Sequence, residues 1–281
     1  MSLASWYDIN IIIFLTIDSI VALLTSILNG TFIVTLVKTP SLHTPSHMIF
    51  GAMSMCDFLV GICGHPLWLE DYGKRLNSID KSPTNKYKRY VLAFLMVSSL
   101  LYMTCISIDR YIAVVHPFWF HEHATCKTHI IASVLVLFAT IPIVVVHFSV
   151  NFPSTSLLML GLLPVLYCNW KLFRVIRRQS KQIAQIERAP NITERQQKQR
   201  KENKDKAYVM LVVVIAFCVS FAPIVVKNIL ESADFYKDVK EFVDPWAECF
   251  ALANSLVNPL IYYARMKAFR KAAKDLFHRE V

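Results

Sequence analysis

Ser98–Phe118, SSLLYMTCISIDRYIAVVHPF, is an apolar helix ending in an acid, a base and an aromatic ring, Asp109-Arg110-Tyr111. Pro117, six residues beyond Tyr111, opens a loop. An arginine at the foot of a membrane helix is costly unless it is paired, which makes Arg110 a candidate functional residue. Asp109 beside it can hold it. The surrounding segments decide whether this helix belongs to a membrane bundle.

The composition favours one. Of 281 residues, 55% are hydrophobic and 18% charged, against about 25% charged in soluble domains. Six glycines and no G-x-x-x-x-G-K-[ST] or G-x-G-x-x-G pattern argue against a phosphate-binding loop. The net charge of +10 lies between apolar runs, where it reports topology rather than nucleic-acid binding. Met1–Asn10 lacks a basic n-region, so no cleavable signal peptide is expected. The seven cysteines show no metal-ligand spacing and are expected to be small buried apolar residues.

Seven apolar segments approach the ~20 residues a bilayer needs. They are Ile11–Val37, His47–Glu70, Tyr90–Val115, His129–Phe148, Ser154–Val175, Ala207–Leu230 and Phe242–Ala264. The expected fold is an all-α, seven-transmembrane helix bundle over residues 1–281, followed by a short amphipathic eighth helix at 266–277. The loop at 176–206 is strongly basic, and the tail adds Arg265, Lys267, Arg270, Lys271 and Lys274. By the positive-inside rule both are cytoplasmic, which puts residues 1–10 outside. The opposite loops are mixed or acidic, with Glu70, Asp71 and Asp80 in one and Glu231, Asp234, Asp238, Glu241 and Asp244 in another. Asn29-Gly30-Thr31 and Asn191-Ile192-Thr193 match the glycosylation pattern, but lie in a span and in the basic loop.

Polar residues within the spans carry the chemistry. Asp57 is a lone carboxylate in mid-span and needs partners. Asn29, Ser99, Asn254, Ser255 and Asn258 are the polar groups at comparable depth. Hard oxygen donors from the first, third and seventh helices around Asp57 suit a small cation. A hydrogen-bond network about a protonated Asp57 is the alternative. Pro259 cannot donate to the carbonyl of Ser255, so the seventh helix is expected to kink and free that oxygen. That break would let Tyr262, one turn below, swing. Pro223, after Phe221, is expected to kink the sixth helix in the same way.

These residues, in order and spacing, resemble the rhodopsin-like (class A) G-protein-coupled receptors along nearly the whole chain. The matching positions are Asn29, Asp57, Asp109-Arg110-Tyr111 with Pro117, Tyr167, Pro223, Asn258-Pro259-x-x-Tyr262 and, on the tail helix, Phe269. The departures are Asn85 for the usual third-helix cysteine, a very short second extracellular loop, Met159 for the fifth-helix proline, no fourth-helix tryptophan and Phe221 for the sixth-helix tryptophan. Together with Leu42-His43-Thr44-Pro45 they look like the melanocortin receptors and their cannabinoid, lysolipid and adenosine relatives. Asn258-Pro259 and the non-acidic Leu67, Asn85 and Arg89 differ from the melanocortin pattern.

The resemblance implies a receptor that carries an extracellular signal to a heterotrimeric G protein from the plasma membrane. Asp109, Arg110, Tyr111, Pro117, Phe118, Tyr167, Phe221, Pro223, Asn258, Pro259 and Tyr262 would form the coupling machinery. The sixth helix would swing outward about Pro223 and Arg110 would then meet Tyr167 and Tyr262. The usual sixth-helix acid falls at Asn203, near Glu202 and Asp205, so raised basal activity is expected. Trp68, Leu92, Met96, Ile224, Asn228, Glu231 and Glu248 would line the ligand pocket, for a peptide or a small lipid-like molecule. Asp57, Ser99, Asn254, Ser255 and Asn258 would hold sodium. Leu92 stands where amine receptors carry an aspartate, and Leu252 where a retinal-binding lysine would be, so no retinal is expected. No Ser, Thr or Cys follows Ser255, so neither arrestin recruitment by a phosphorylated tail nor a palmitoyl anchor is expected. Membrane lipids are expected partners and nucleic acid is not. An enzyme is not expected. The alternative class, a membrane transporter or channel, predicts internal repeats or a charged path; neither is visible, with Asp18 and Lys227 placed toward the outer ends of their spans.

Overall fold

A computed structural model describes residues 3–76, 86–150, 154–186, 212, 215–231 and 234–279. Every regular element among them is helical. The long helices are α1 (Leu3–Lys38), α2 (Pro45–Leu59) continued by α3 (His65–Leu76), α4 (Lys86–Val115), α6 (Cys126–Ser149), α7 (Ser154–Ile186), α8 (Ile215–Leu230) and α9 (Asp234–Arg265). Six of the seven expected apolar segments fall on these helical elements; of the remaining one, Ala207–Leu230, residues 215–230 form α8 and residues 207–211, 213 and 214 lie outside the described residues. Trp6–Lys38, Pro45–Leu76, Tyr87–Val115 and Cys126–Ser149 are each long and apolar enough to cross a membrane. Two short helices, α5 (Pro117–His123) and α10 (Lys267–Arg279), a 3-10 turn at Pro40–Leu42 and a π turn at Val60–Gly64 complete the described elements.

Polar side chains of the spans turn into the bundle while much of the outward surface is apolar. On α1, Asp18, Thr25, Asn29 and Thr35 are buried, while Ile13, Ile17, Ile20, Leu24 and Val34 are exposed. That is the pattern a lipid solvent selects, since polar groups then need protein partners. α4 packs on α2, α6 and α7, and α1 packs on α2 and α9. One apolar core joins Phe32, Met53, Leu100, Tyr102, Phe217, Phe221 and Tyr262 from five of the helices. At Gly161 of α7 the helices touch so closely that a Cβ would lie 2.1 Å from Leu100 Cδ2.

The second span carries a feature its sequence did not announce. Val60–Gly64 forms a π-helical turn between α2 and α3, with His65 N bonded to Val60 O. Pro66 explains it: its ring lacks an N–H and crowds the carbonyl four residues back, so the helix widens by one residue. The turn presses Gly61 onto α1, where a Cβ would meet Ser26 Oγ at 2.4 Å.

Several expectations need correction. Pro117 opens a helix rather than a loop, standing at its first turn where a missing N–H costs nothing. The acidic stretch from Asp234 to Asp244 is also helical, as the start of α9. α9 runs uninterrupted through Pro245 and Pro259, so Pro259 does not break it. Of the cysteines, only Cys56 and Cys249 are buried; Cys63 is exposed, and all seven are free thiols. Asn85, Asn191–Thr193, Glu202, Asn203 and Asp205 lie outside the described residues, as does most of the basic loop.

Candidate functional site

Asp57 is fully buried and ties three spans together. Its Oδ1 accepts from Ser99 Oγ of α4 at 3.3 Å and from Ser255 Oγ of α9 at 2.7 Å. Its Oδ2 accepts from Asn258 Nδ2 of α9 at 2.9 Å. The Ser255 carbonyl, which Pro259 cannot serve, accepts from Asn29 Nδ2 of α1 at 3.0 Å. Asn29 thus reaches the seventh span through backbone rather than through Asp57. One turn below, Tyr262 is buried with its hydroxyl 3.8 Å from Met53 Sδ and its ring against Phe32 and Phe50. Phe269 of α10 stacks on Phe32 at 4.4 Å, which docks that helix on the bundle.

At the foot of α4, Asp109 binds Arg110 through Nε at 3.0 Å and through Nη2. Two further groups grip the same carboxylate. Ser46 Oγ of α2 donates at 3.0 Å and His129 Nε2 of α6 lies at 2.7 Å. A carboxylate can only accept, so Nε2 carries a proton. Tyr111 is partly buried and Phe118 on α5 is 90% exposed. Tyr167 stands apart from this group: it is 58% exposed on α7, against Lys171 and Trp170. The residue α7 turns inward is Asn169, which donates to Ser107 Oγ at 2.9 Å.

The end of the bundle away from Asp109 holds the remaining candidates. Leu92 is buried with Val60, Leu95 and Leu252, and Trp68 packs on them. Phe221 is buried against Phe217, with Met96 and Ile224 beside the same core. Asn228 is partly buried. Glu248 does not stand free: Lys227 Nζ reaches its Oε1 at 2.8 Å and Asp244 at 3.5 Å, and Tyr72 donates to its Oε2 at 3.2 Å. Glu231 is exposed and pairs with Lys240 at 3.3 Å.

Residues 28–155 and 149–262 match the family model described as 7 transmembrane receptor (rhodopsin family). The chain belongs to this family. It is therefore a membrane receptor of the G-protein-coupled class and not an enzyme. Trace amine-associated receptor 9 of Homo sapiens is 24% identical over 90% of this chain and 81% of its own length. The same-named proteins of Rattus norvegicus and Mus musculus are 23% and 24% identical, again over 90% of this chain, and over 83% and 81% of theirs.

In this rhodopsin-family receptor the Asp57 surroundings fit a small cation chemically. Carboxylate and hydroxyl oxygens converge there; the buried Oδ1 atoms of Asn29 on α1 and Asn254 on α9 and the hydroxyl of Ser54 on α2 have no hydrogen-bond partner among the described residues. Asn258 presents its nitrogen to Asp57 and so donates rather than ligates in this arrangement. Sequence reasoning missed Ser46 and His129, which begin spans and look like ordinary helix-end polar residues. It also missed a second buried charge site. Asp18 Oδ1 lies 2.8 Å from His65 Nδ1, both side chains sealed from solvent. A histidine next to a proline within an apolar run was the available signal.

Proposed function

We propose that the chain transmits the binding of an extracellular ligand to a heterotrimeric G protein at the plasma membrane, with residues 1–10 outside and the basic loop and tail inside. The observation that carries this reading is Arg110, held at the foot of α4 by an Asp109 that α2 and α6 also grip. Release of that grip frees a cation at the face where Phe118 stands exposed. Outward movement of the sixth helix about Pro223, with Tyr167 turning inward, would open the cleft for the G protein. The residues around Asp57 would hold sodium, whose charge favours the resting state.

The ligand reading is a peptide or small lipid-like molecule, in keeping with the melanocortin, cannabinoid, lysolipid and adenosine branch. Its support is the apolar contact of Leu92 with Leu252, at the positions where an amine or retinal would be anchored. A second reading comes from the relatives, which are named trace amine-associated receptors. Asp244 and Glu248 share one lysine, so an amine could compete with Lys227 for the second carboxylate.

The test is guanine-nucleotide exchange on purified G protein by the chain in lipid nanodiscs. Exchange in the wild type and its loss in Arg110→Ala support the receptor reading. No exchange with any G-protein class, together with solute uptake into vesicles, would replace it with the transporter reading.

A further inference from the structure

The edge of α7 that faces away from the bundle combines aromatic and basic groups. Tyr167, Trp170, Lys171 and Arg174 recur at helical spacing and share one side. The Arg174 guanidinium lies 3.8 Å from the centre of the Trp170 ring. Lys171 Nζ sits 5.6 Å from the Tyr167 ring and 5.8 Å from the Trp170 ring. Trp170 is 47% exposed, and exposed Arg177 and Arg178 extend the edge by a turn. Val165, Asn169 and Leu172 form the buried side. No acidic residue occurs in the 33 residues of α7. Among the described residues, no carboxylate pairs with any of the four cations.

The depth of this edge follows from packing. Gly161 lies against Leu100 and Asn169 against Ser107, so α7 runs parallel to α4 in a fixed register. That register puts Lys171 level with Arg110. Above it the exposed residues include Leu163, Pro164 and Leu166. The order apolar, aromatic, cationic along an outward face is the signature of a lipid–water boundary.

We propose that this edge is a binding site for the headgroup of an anionic phospholipid. Stacking on Trp170 holds the Arg174 plane in place while leaving its N–H edge free, and a pre-ordered guanidinium fork matches a phosphate. Lys171 adds a second donor one turn nearer the hydrocarbon. Basic charges that served topology alone would contribute equally wherever they stand and would not depend on the ring.

The experiment uses the full chain in nanodiscs, where both leaflets carry the same lipid and the orientation of the chain does not matter. Bound phosphatidylinositol 4,5-bisphosphate and phosphatidylcholine are compared by native mass spectrometry. Wild type retains the anionic lipid selectively. Lys171→Gln with Arg174→Gln weakens this by about 30-fold, the usual effect of two cations at a lipid surface. Trp170→Leu, which removes the ring but keeps the charge and an apolar side chain, weakens it by about threefold. Lys127→Gln with Lys271→Gln removes as much charge elsewhere and leaves binding as in wild type. Thermal unfolding of each variant confirms its fold. Equal retention of the two lipids by wild type overturns the proposal and leaves the edge to an acidic protein partner. Equal loss in the control pair, or no loss in Trp170→Leu, also overturns it. Nucleotide exchange on G protein is read separately, so failure of the receptor reading is not confused with failure of this one.

Discussion

His129 Nε2 lies 2.7 Å from Asp109 Oδ1, joining the first turn of α6 to the acid that holds Arg110. The contact is largely shielded from solvent, with side-chain exposures of 11% and 6%. A hydrogen bond to a charged group contributes about 1.5 kcal/mol or more. Its loss should therefore bias the resting state by roughly tenfold. His129→Ala is expected to raise ligand-independent nucleotide exchange several-fold, and His129→Gln to restore part of the restraint. Basal exchange equal to wild type in both would show that Ser46 and Arg110 suffice to fix Asp109.

The Asp18–His65 pair makes a prediction about stability instead. Removing one partner of a buried pair leaves an uncompensated polar or charged group, at about 3 kcal/mol. His65→Ala should therefore lower the unfolding temperature of the purified chain markedly. Asp18→Asn with His65→Ala should recover much of the loss, because the stranded carboxylate is gone. Simple addition of the two single effects would mean the residues do not act as a pair.

Asp57 was legible from its sequence because a lone carboxylate in an apolar run has few explanations. Ser99, Ser255 and Asn258 followed from depth alone. His129 and Ser46 were not legible, since each looks like a helix-end residue until three spans converge. The Asp18–His65 pair depends on the π turn before Pro66, a local widening that periodicity does not reveal. Tyr167 shows the reverse: motif spacing identifies the residue, but only packing shows that Asn169 is the side chain α7 turns inward.

Sodium sensitivity tests the Asp57 site. If the oxygen cluster holds the ion, raising sodium should lower basal exchange and raise the unfolding temperature. Asp57→Asn removes the charge but keeps the shape, and should abolish both responses. A wild-type chain whose exchange and unfolding are indifferent to sodium, compared with a large organic cation at equal ionic strength, would count against the site.

Lys88, near the start of α4, ties that helix to α3 by reaching Glu70 and Asp71, each at 2.8 Å. The family's third-helix cysteine would fall nearby, at Asn85. An exposed ion pair contributes about 1 kcal/mol at most, but Lys88 and Asp71 are largely shielded, with side-chain exposures of 15% and 11%. Lys88→Gln is therefore expected to lower the unfolding temperature by a few degrees more than Lys74→Gln, whose bond to Glu70 is more open to solvent. Equal small effects from the two would reduce Lys88 to an ordinary surface charge.

Lys227 joins α8 to α9 at the end of the bundle away from Asp109, with Glu248 at 2.8 Å and Asp244 at 3.5 Å. One cation thus neutralises two shielded carboxylates. Lys227→Met leaves both acids without it, at about 3 kcal/mol, and should lower the unfolding temperature clearly. Lys227→Met with Glu248→Leu removes one of the stranded charges and should recover more than half of the drop. The same single variant separates the ligand readings. With Lys227 gone, a cationic ligand meets two carboxylates relieved of their lysine, with Tyr72 still donating to Glu248 and Tyr236 to Asp244, and should bind more tightly in competition assays, whereas a lipid-like ligand seated against Leu92 should be unaffected. Weaker binding of the cationic ligand in Lys227→Met would place its charge away from Asp244 and Glu248.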